Sequence, residues 1–133
     1  MVNKFLLDTH TFLWAAHESR LFKLGDAARN AIEDPDSELY VSAVSIFEIS
    51  NKYRRGKLPE YRPIAENYME ALEGLEAREL PLSWEQANLA GSLEWTHKDP
   101  FDRLLAAQAQ SGDMTLISCD KVFADAPDID ILW

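Results

Sequence analysis

The chain has 133 residues, of which 47% are apolar and 27% charged, and its formal net charge at pH 7 is −10. This composition excludes an intrinsically disordered chain, and the length is typical of one compact domain, which we predict over residues 1–133. The acidic balance argues against a metal-free nucleic-acid binder, because carboxylates repel phosphates unless bound cations offset their charge.

Two features predict a soluble, cytoplasmic protein that does not cross a membrane. The apolar run that ends at Asp8 is too short for the core of a signal peptide, and no apolar stretch reaches the length of about 20 residues that a membrane helix needs. Cys119 is the only cysteine, so the chain cannot form an internal disulfide, as suits a reducing compartment. We predict that Cys119 is a small core residue next to an apolar strand.

Apolar strands alternate with amphipathic helices along the whole chain. Hydrophobic periodicity and the positions of Pro and Gly predict where each element begins and ends. The predicted strands are KFLL, ELYVSA, REL, MTLISC and a short final strand in IDILW. The predicted helices cover TFLWAAH and residues 24–34, 44–55, 63–74, 83–93 and 100–112. Such alternation is typical of a parallel sheet with helices on both faces, so we predict a three-layer α/β/α sandwich.

Acidic residues recur where functional sites form in this class of fold. Asp8 directly follows the first strand and Asp120 directly follows TLISC, so both should lie at the carboxyl edge of the sheet. Glu48 lies in the helix after ELYVS, and Asp102 lies in the first turn of the helix before MTLIS. Short connections favour the same edge for Asp102, although spacing alone leaves that open. We call Asp8, Glu48, Asp102 and Asp120 the acidic set.

The chemistry of the acidic set favours a bound divalent cation. Carboxylates that meet in one cleft repel one another and raise each other's pKa values unless a cation neutralises them. Oxygen ligands without a Cys or His cluster favour Mg²⁺ or Mn²⁺ over zinc. Two such ions about 3.5–4 Å apart can activate a water and stabilise the leaving oxygen in phosphodiester hydrolysis. The residues therefore indicate a metal-assisted nuclease.

Structural roles are the alternative for each of these acids. Asp8 and Asp120 could simply cap the short helices that follow them, and Glu48 could form an exposed salt bridge with Lys52 at i+4. The convergence of several acids, rather than any one of them, favours a site.

In the stretch HKDPFDRLL, the choice between a helix cap and a site ligand arises for two acids, Asp99 and Asp102. Asp99 has the position of an N-cap and Pro100 that of the first helical residue, where a missing N–H costs nothing. Asp102 then falls at the third helical position, where a negative charge suits the helix dipole. These positions alone leave both acids open to a role in the cap or in the site.

The residues LLDTHTFLW, VSAVSIFEISNK, HKDPFDRLLAAQA and LISCD, in this order, closely resemble the PIN-domain ribonucleases of the VapC toxin type. The likeness extends from Lys4 to Val122. It implies a PIN-like fold in which the acidic set forms the catalytic metal site of an Mg²⁺- or Mn²⁺-dependent endoribonuclease. It also implies an RNA substrate, a homodimer, and a cognate antitoxin protein that holds the toxin inactive.

The same resemblance suggests weaker roles for neighbouring residues. The third acid of the family heads the helix of the DRLLAAQA type, which implies that Asp102 belongs mainly to the site. Asp99 belongs to the HKDPFDR form of the motif and could assist the acids through a neighbouring contact, although we favour its role as the N-cap. His10 recurs in the LLDTH form. A lone histidine is more often a packing residue than a proton shuttle. Lys52 and Arg103 are the candidates for contact with the RNA backbone.

The tryptophans invite a base-stacking interpretation, but packing explains them better. Trp14 and Trp84 lie at apolar helical positions and are predicted to be in the core. Trp95 and Trp133 are candidates for a dimer or antitoxin surface.

Other functions fit the sequence less well. A phosphotransferase with an aspartate nucleophile would want a second acid two residues after Asp8, where this chain has His10. A receiver-type signalling domain would want adjacent acids after its first strand, and LLDTHT supplies one. The main alternative is a non-catalytic module of the same fold that holds a basic partner on its acidic face.

Overall fold

The computed structural model describes residues 2–133, which form a parallel sheet with helices on both faces. The strands are β1 Asn3–Leu7, β2 Ser37–Ser42, β3 Ala77–Leu80, β4 Thr115–Ile117 and β5 Ile131–Leu132. The α-helices are α1 Thr9–Ala16, α2 Asp26–Glu33, α3 Ala43–Arg54, α4 Arg62–Ala65, α5 Tyr68–Leu75, α6 Trp84–Ser92 and α7 Pro100–Gly112. Short 3₁₀ helices cover Glu18–Lys23, Pro59–Tyr61 and Lys121–Asp125.

The strand order creates a topological switch point at the centre of the sheet. The order is β3-β2-β1-β4-β5, and all neighbouring strands are parallel. From β1 the chain runs outward through β2 and β3, then returns to the other side of β1 as β4. Leu7 of β1 lies opposite Ile117 of β4. A crevice outside the carboxyl ends of the strands is expected where the direction of winding reverses, so the register puts that crevice after Leu7 and Ile117.

Two apolar cores lie on opposite faces of the sheet. Leu6 and Leu116 pack into the core beneath α6 and α7, whereas Leu7, Val41 and Ile117 pack into the core beneath α1 and the helices from α2 to α5. Successive residues of a strand point to opposite faces, so a strand that is buried on both faces must be apolar throughout. This arrangement explains the continuous apolar runs and confirms the predicted α/β/α sandwich. Within residues 2–133, no helix is long and apolar enough to cross a bilayer.

The predicted helix over 63–74 is wrong in one respect, because the structure divides it into α4 and α5. Asn67 interrupts the helix, and its side-chain oxygen accepts a hydrogen bond from the backbone N–H of Glu70 at 3.2 Å. An asparagine in this position satisfies the first free N–H groups of a new helix, which favours a break over a continuous helix.

Two burial predictions are also wrong. Trp84 is 76% exposed because it is the first residue of α6, where a capping box starts the helix before its buried stripe begins. Cys119 is exposed because β4 ends at Ile117, which leaves the cysteine in the following loop. Trp14 does pack against the core, as predicted. The rings of Trp95 and Trp133 are both partly buried within this chain.

Gln108 is a fully buried polar residue that connects α7 to the edge of the sheet. Its amide nitrogen donates to the Pro81 carbonyl at 3.2 Å and to Gln86 Oε1 at 3.1 Å, and its oxygen accepts from the Ser42 hydroxyl. An amide is stable inside a core only when its polar atoms have partners. Gln108 therefore fixes α7 relative to the carboxyl ends of β2 and β3.

Replacing Gln108 with leucine should lower the free energy of unfolding by about 2–4 kcal/mol, because the partners of the amide would remain unpaired in the core. Urea denaturation of the variant and the wild type measures this difference. Asn88→Leu, the same kind of change on the exposed side of α6, should change the stability by less than about 0.5 kcal/mol. Equal stability of Gln108→Leu and wild type would show that the amide does not hold α7 in place.

Candidate active site

Asp8 and Asp120 lie at the switch point, where β1 and β4 end. The backbone N–H of Asp8 donates to the Ile117 carbonyl at 3.1 Å. The Ser118 hydroxyl donates to Asp8 Oδ2, and the same hydroxyl accepts from the backbone N–H of Asp120 at 3.0 Å. Ser118 thus links the two acidic residues across the edge of the sheet.

Both residues also cap the helices that follow them. Asp8 Oδ1 accepts from the backbone N–H of Thr11 at 2.8 Å, at the start of α1. Asp120 Oδ1 accepts from Val122 at 3.1 Å, at the start of the last 3₁₀ helix. The structural alternative is therefore confirmed for both acids. It is compatible with a site, because each capping bond engages Oδ1 and thereby fixes the direction of the carboxylate.

Glu48 is held between a threonine and a lysine. Its Oε1 accepts from the Thr9 hydroxyl at 2.7 Å, and its Oε2 accepts from Lys52 Nζ at 2.8 Å. Thr9 is buried, and its hydroxyl also lies 3.0 Å from that of Ser45. Because Thr9 is adjacent to Asp8 in the chain, this bond joins α3 to the end of β1. The predicted pair of Glu48 and Lys52 is present, and the Glu48 side chain is only 18% exposed.

Asp102 lies in the first turn of α7 and contacts a histidine. Asp102 Oδ2 lies 2.7 Å from His97 Nε2. Burial raises the pKa of the Asp102 carboxyl, and the nearby charges of Asp99 and Asp120 raise it further, whereas the hydrogen bond from His97 opposes this rise. The loop before α7 lies near the segment that follows β4, because the Trp95 ring is 5.9 Å from that of Phe123, in the 3₁₀ helix that Asp120 caps.

Neighbouring residues link the segments that carry the acidic set. Ser118 connects Asp8 with Asp120, Thr9 connects Glu48 with β1, and Trp95 connects the loop before Asp102 with the 3₁₀ helix that Asp120 caps. Within residues 2–133, however, no three His, Cys, Asp or Glu side chains lie close enough together to hold one ion. The donors are partly prearranged oxygens of the kind that Mg²⁺ and Mn²⁺ prefer, so their chemistry fits such a cation.

The histidine that contacts the acidic set is His97 and not His10. His10 is exposed, and its ring packs 5.6 Å from that of Trp14, so the structure does not support the suggestion that it assists the acids. His97 was missed because its position five residues before Asp102 falls in a loop with no regular period. Thr9 and Ser118 were also missed, because their only signal in the sequence is that each lies within two residues of a predicted site acid.

Arg103 has a structural role that competes with the predicted contact with RNA, which stays a prediction. Its guanidinium donates to the backbone carbonyls of four residues at 2.7–2.9 Å, namely Ala90, Leu93, Trp95 and His97. A planar guanidinium with five N–H donors can satisfy several carbonyls of one loop, and donors used in this way are not free for phosphates. Arg103 therefore fixes the loop between α6 and α7 to the first turn of α7.

Asp99 caps α7 as predicted. Its Oδ1 accepts from the backbone N–H groups of Phe101 at 2.9 Å and Asp102 at 3.2 Å. Pro100 is the first residue of the helix, so its missing N–H leaves no bond unmade. The charge of Asp99 also raises the pKa of Asp102.

The sequence matches the PIN-domain family over residues 5–129. The chain belongs to this family. PIN domains are generally nucleases, which agrees with the metal-assisted chemistry that the acids indicate. No curated protein sequence matches this PIN domain.

Several solved structures share the fold of this PIN domain. VapBC2 from Rickettsia felis, bound to a DNA fragment from its promoter, superposes with a TM-score of 0.69 at 16% identity, covering 96% of each chain. DNA-bound VapBC from Salmonella typhimurium gives a TM-score of 0.67 at 17% identity, covering 98% of this chain and 97% of that one. A toxin–antitoxin complex from Klebsiella pneumoniae gives 0.57 at 22% identity, covering 93% of each chain. At identities this low, the superpositions establish a common fold and nothing more.

Asp99→Ala should lower the free energy of unfolding by about 1 kcal/mol, because the first N–H groups of α7 lose their acceptor. Asp99→Ser is the matched control, since serine caps a helix equally well without the charge and should keep the stability near that of the wild type. Thermal unfolding of both variants measures the difference. Equal losses in the two would mean that the charge of Asp99, and not its capping bond, stabilises the helix.

Arg103→Lys should lower the free energy of unfolding by about 2–4 kcal/mol, because one ammonium cannot reach four carbonyls in the geometry of a guanidinium. Chemical denaturation measures the loss, and Arg55→Lys at the exposed end of α3 is the control that should leave stability unchanged. Weaker RNA binding by Arg103→Lys at unchanged stability would instead restore its role as an RNA contact.

Proposed function

We propose that this PIN domain is a divalent-metal-dependent endoribonuclease and the toxin of a toxin–antitoxin pair. The observation that carries the proposal is that Ser118 links Asp8 and Asp120 at the topological switch point of a PIN-domain sheet, with Glu48 bound to Thr9 beside Asp8. Within residues 2–133, the acidic set forms one ion pair with a lysine or arginine, between Glu48 and Lys52. A cation is the partner that would balance the remaining charge.

The acidic set would hold Mg²⁺ or Mn²⁺. When bound, such ions supply a water activated for attack on the phosphodiester and offset the charge on the leaving oxygen. The donor set supports this choice, because hard divalent cations prefer carboxylate oxygens, and within residues 2–133 no thiolate or histidine cluster accompanies the acids.

The chain itself contributes orientation. Hydrogen bonds from Ser118 and the Thr11 N–H engage both oxygens of Asp8, and those from Thr9 and Lys52 engage both oxygens of Glu48. Side chains fixed in this way lose less conformational freedom when they take part in binding. Burial and neighbouring charge raise the pKa of Asp102, and a nearby cation would reverse that effect by favouring the ionised carboxylate.

The proposal also includes an RNA substrate, an antitoxin partner, a homodimer and a cytoplasmic location. They are supported by the resemblance of the four motifs to VapC-type toxins and by the common fold with proteins of toxin–antitoxin complexes. An acidic protein that works on RNA needs cations at its site, because carboxylates alone would repel the phosphate backbone. Metal dependence and an RNA substrate are thus mutually consistent.

Asp8→Asn and Asp102→Asn should each reduce RNA cleavage by at least about 100-fold, because an amide binds Mg²⁺ far less well than a carboxylate while it keeps the shape and the capping bond of Asp8. The measurement is cleavage of a panel of tRNAs and other structured RNAs in Mg²⁺, in Mn²⁺ and in EDTA. Asp36→Asn, the same change at the opposite edge of the sheet, should cleave like the wild type.

Three outcomes would contradict the proposal. Cleavage that persists in EDTA would rule out a metal site, and cleavage retained in both site variants would show that the acids are wrongly assigned. Failure of the wild type to cleave any RNA, although it folds and binds Mn²⁺, would favour the non-catalytic module with an acidic face.

A further inference from the structure

We propose that His97 is a positioning residue that orients the Asp102 carboxylate for cation binding. This inference rests on the proposed function, since it assigns a second role within the same site. The observation behind it is the hydrogen bond between His97 Nε2 and Asp102 Oδ2 at 2.7 Å, in a pair whose side chains are only 27% and 24% exposed.

His97 is held in place through both its backbone and its ring. Its carbonyl accepts from Arg103 Nη1 at 2.9 Å, which ties the backbone of His97 to the residue that follows Asp102 in α7. Its ring lies 5.0 Å from that of Trp95, measured between centroids. The imidazole therefore approaches Asp102 from a fixed direction and not as a freely rotating surface side chain.

Trp95 is itself anchored next to the loop that carries Asp120. Its ring lies 5.9 Å from that of Phe123, and its Nε1–H donates to Asp125 Oδ1 at 3.2 Å. Phe123 and Asp125 belong to the 3₁₀ helix that Asp120 caps. The contacts run from Asp125 through Trp95 and His97 to Asp102, so they connect two segments that each carry a member of the acidic set.

The direction of the hydrogen bond explains how His97 would act. A carboxylate accepts hydrogen bonds, so the proton of the imidazole must lie on Nε2 for this contact. The bond engages Oδ2 alone, and rotation of the Asp102 carboxylate about its terminal torsion would break it. Residues that hold a ligand in this way commonly change metal affinity or activity by about 10–100-fold when they are replaced.

Two substitutions separate the donor of His97 from its ring. His97→Phe keeps an aromatic ring against Trp95 but has no donor for Asp102. His97→Gln loses the ring but can supply an amide N–H near the position of Nε2. Thr96→Ala is the control, because Thr96 is exposed in the same loop. Circular dichroism and thermal unfolding verify that each variant folds.

Calorimetric titration with Mn²⁺ is the primary readout, since it does not depend on cleavage. His97→Phe should bind Mn²⁺ about 10–100-fold more weakly than the wild type, whereas His97→Gln should remain within about threefold of it. Thr96→Ala should match the wild type. In the cleavage assay, His97→Phe should regain activity as Mn²⁺ is raised, while the KM for RNA stays unchanged.

The outcomes distinguish this inference from the proposed function. Wild-type affinity for Mn²⁺ in a folded His97→Phe variant would overturn the inference alone. Equal losses of Mn²⁺ affinity in the Phe and Gln variants would also overturn it, because they would assign the effect to packing of the ring. Weakened Mn²⁺ binding by His97→Phe, in a protein that cleaves no RNA, would support the inference and overturn the nuclease. A wild type that binds no Mn²⁺ would overturn both.

Discussion

The parallel pairing of β1 with β4 is the constraint on which the rest of the structure depends. β1 is the central strand, and its residues Leu6 and Leu7 point into the two opposite cores, so its register cannot shift without exposing both. That register fixes Asp8 beside the loop after Ile117, where Ser118 connects it with Asp120. Asp8 and Asp120 are linked at this edge because the apolar residues that precede them in β1 and β4 are buried in the two cores.

Structural roles and the proposed functional roles coincide in this site. Asp8 caps α1, Asp120 caps the last 3₁₀ helix and Glu48 forms an i,i+4 pair with Lys52, so each structural alternative exists in the folded chain. Each of these contacts restricts the rotation of a carboxylate that would otherwise turn freely in solvent. A choice between cap and ligand is therefore unnecessary, because a cap that fixes one oxygen of a carboxylate also directs the other.

Much of the fold and of the acidic set could be predicted from local signals. Apolar runs identified the buried strands, and an acid directly after such a run identified Asp8 and Asp120 at the sheet edge. The errors arose where hydrophobic periodicity carries no signal. Asn67 caps a new helix and β4 ends before Cys119, so the helix predicted over 63–74 is divided and the cysteine is exposed. The carbonyls that Arg103 binds lie at the end of α6 and in the irregular loop after it, and that loop also carries His97.

The acidic neighbourhood costs stability in the metal-free protein. Burial and the charges of Asp99 and Asp120 raise the pKa of Asp102 above its value in an unfolded chain. The folded state then binds the proton of Asp102 more readily than the unfolded state, so this group lowers stability as the pH rises through the interval between the two pKa values. A cation that binds only the folded carboxylates would offset this cost by mass action. The contacts of His97, Trp95 and Arg103 hold the Asp102 carboxylate in place. Without them, the side chain could turn into solvent and reduce its repulsion from Asp99 and Asp120.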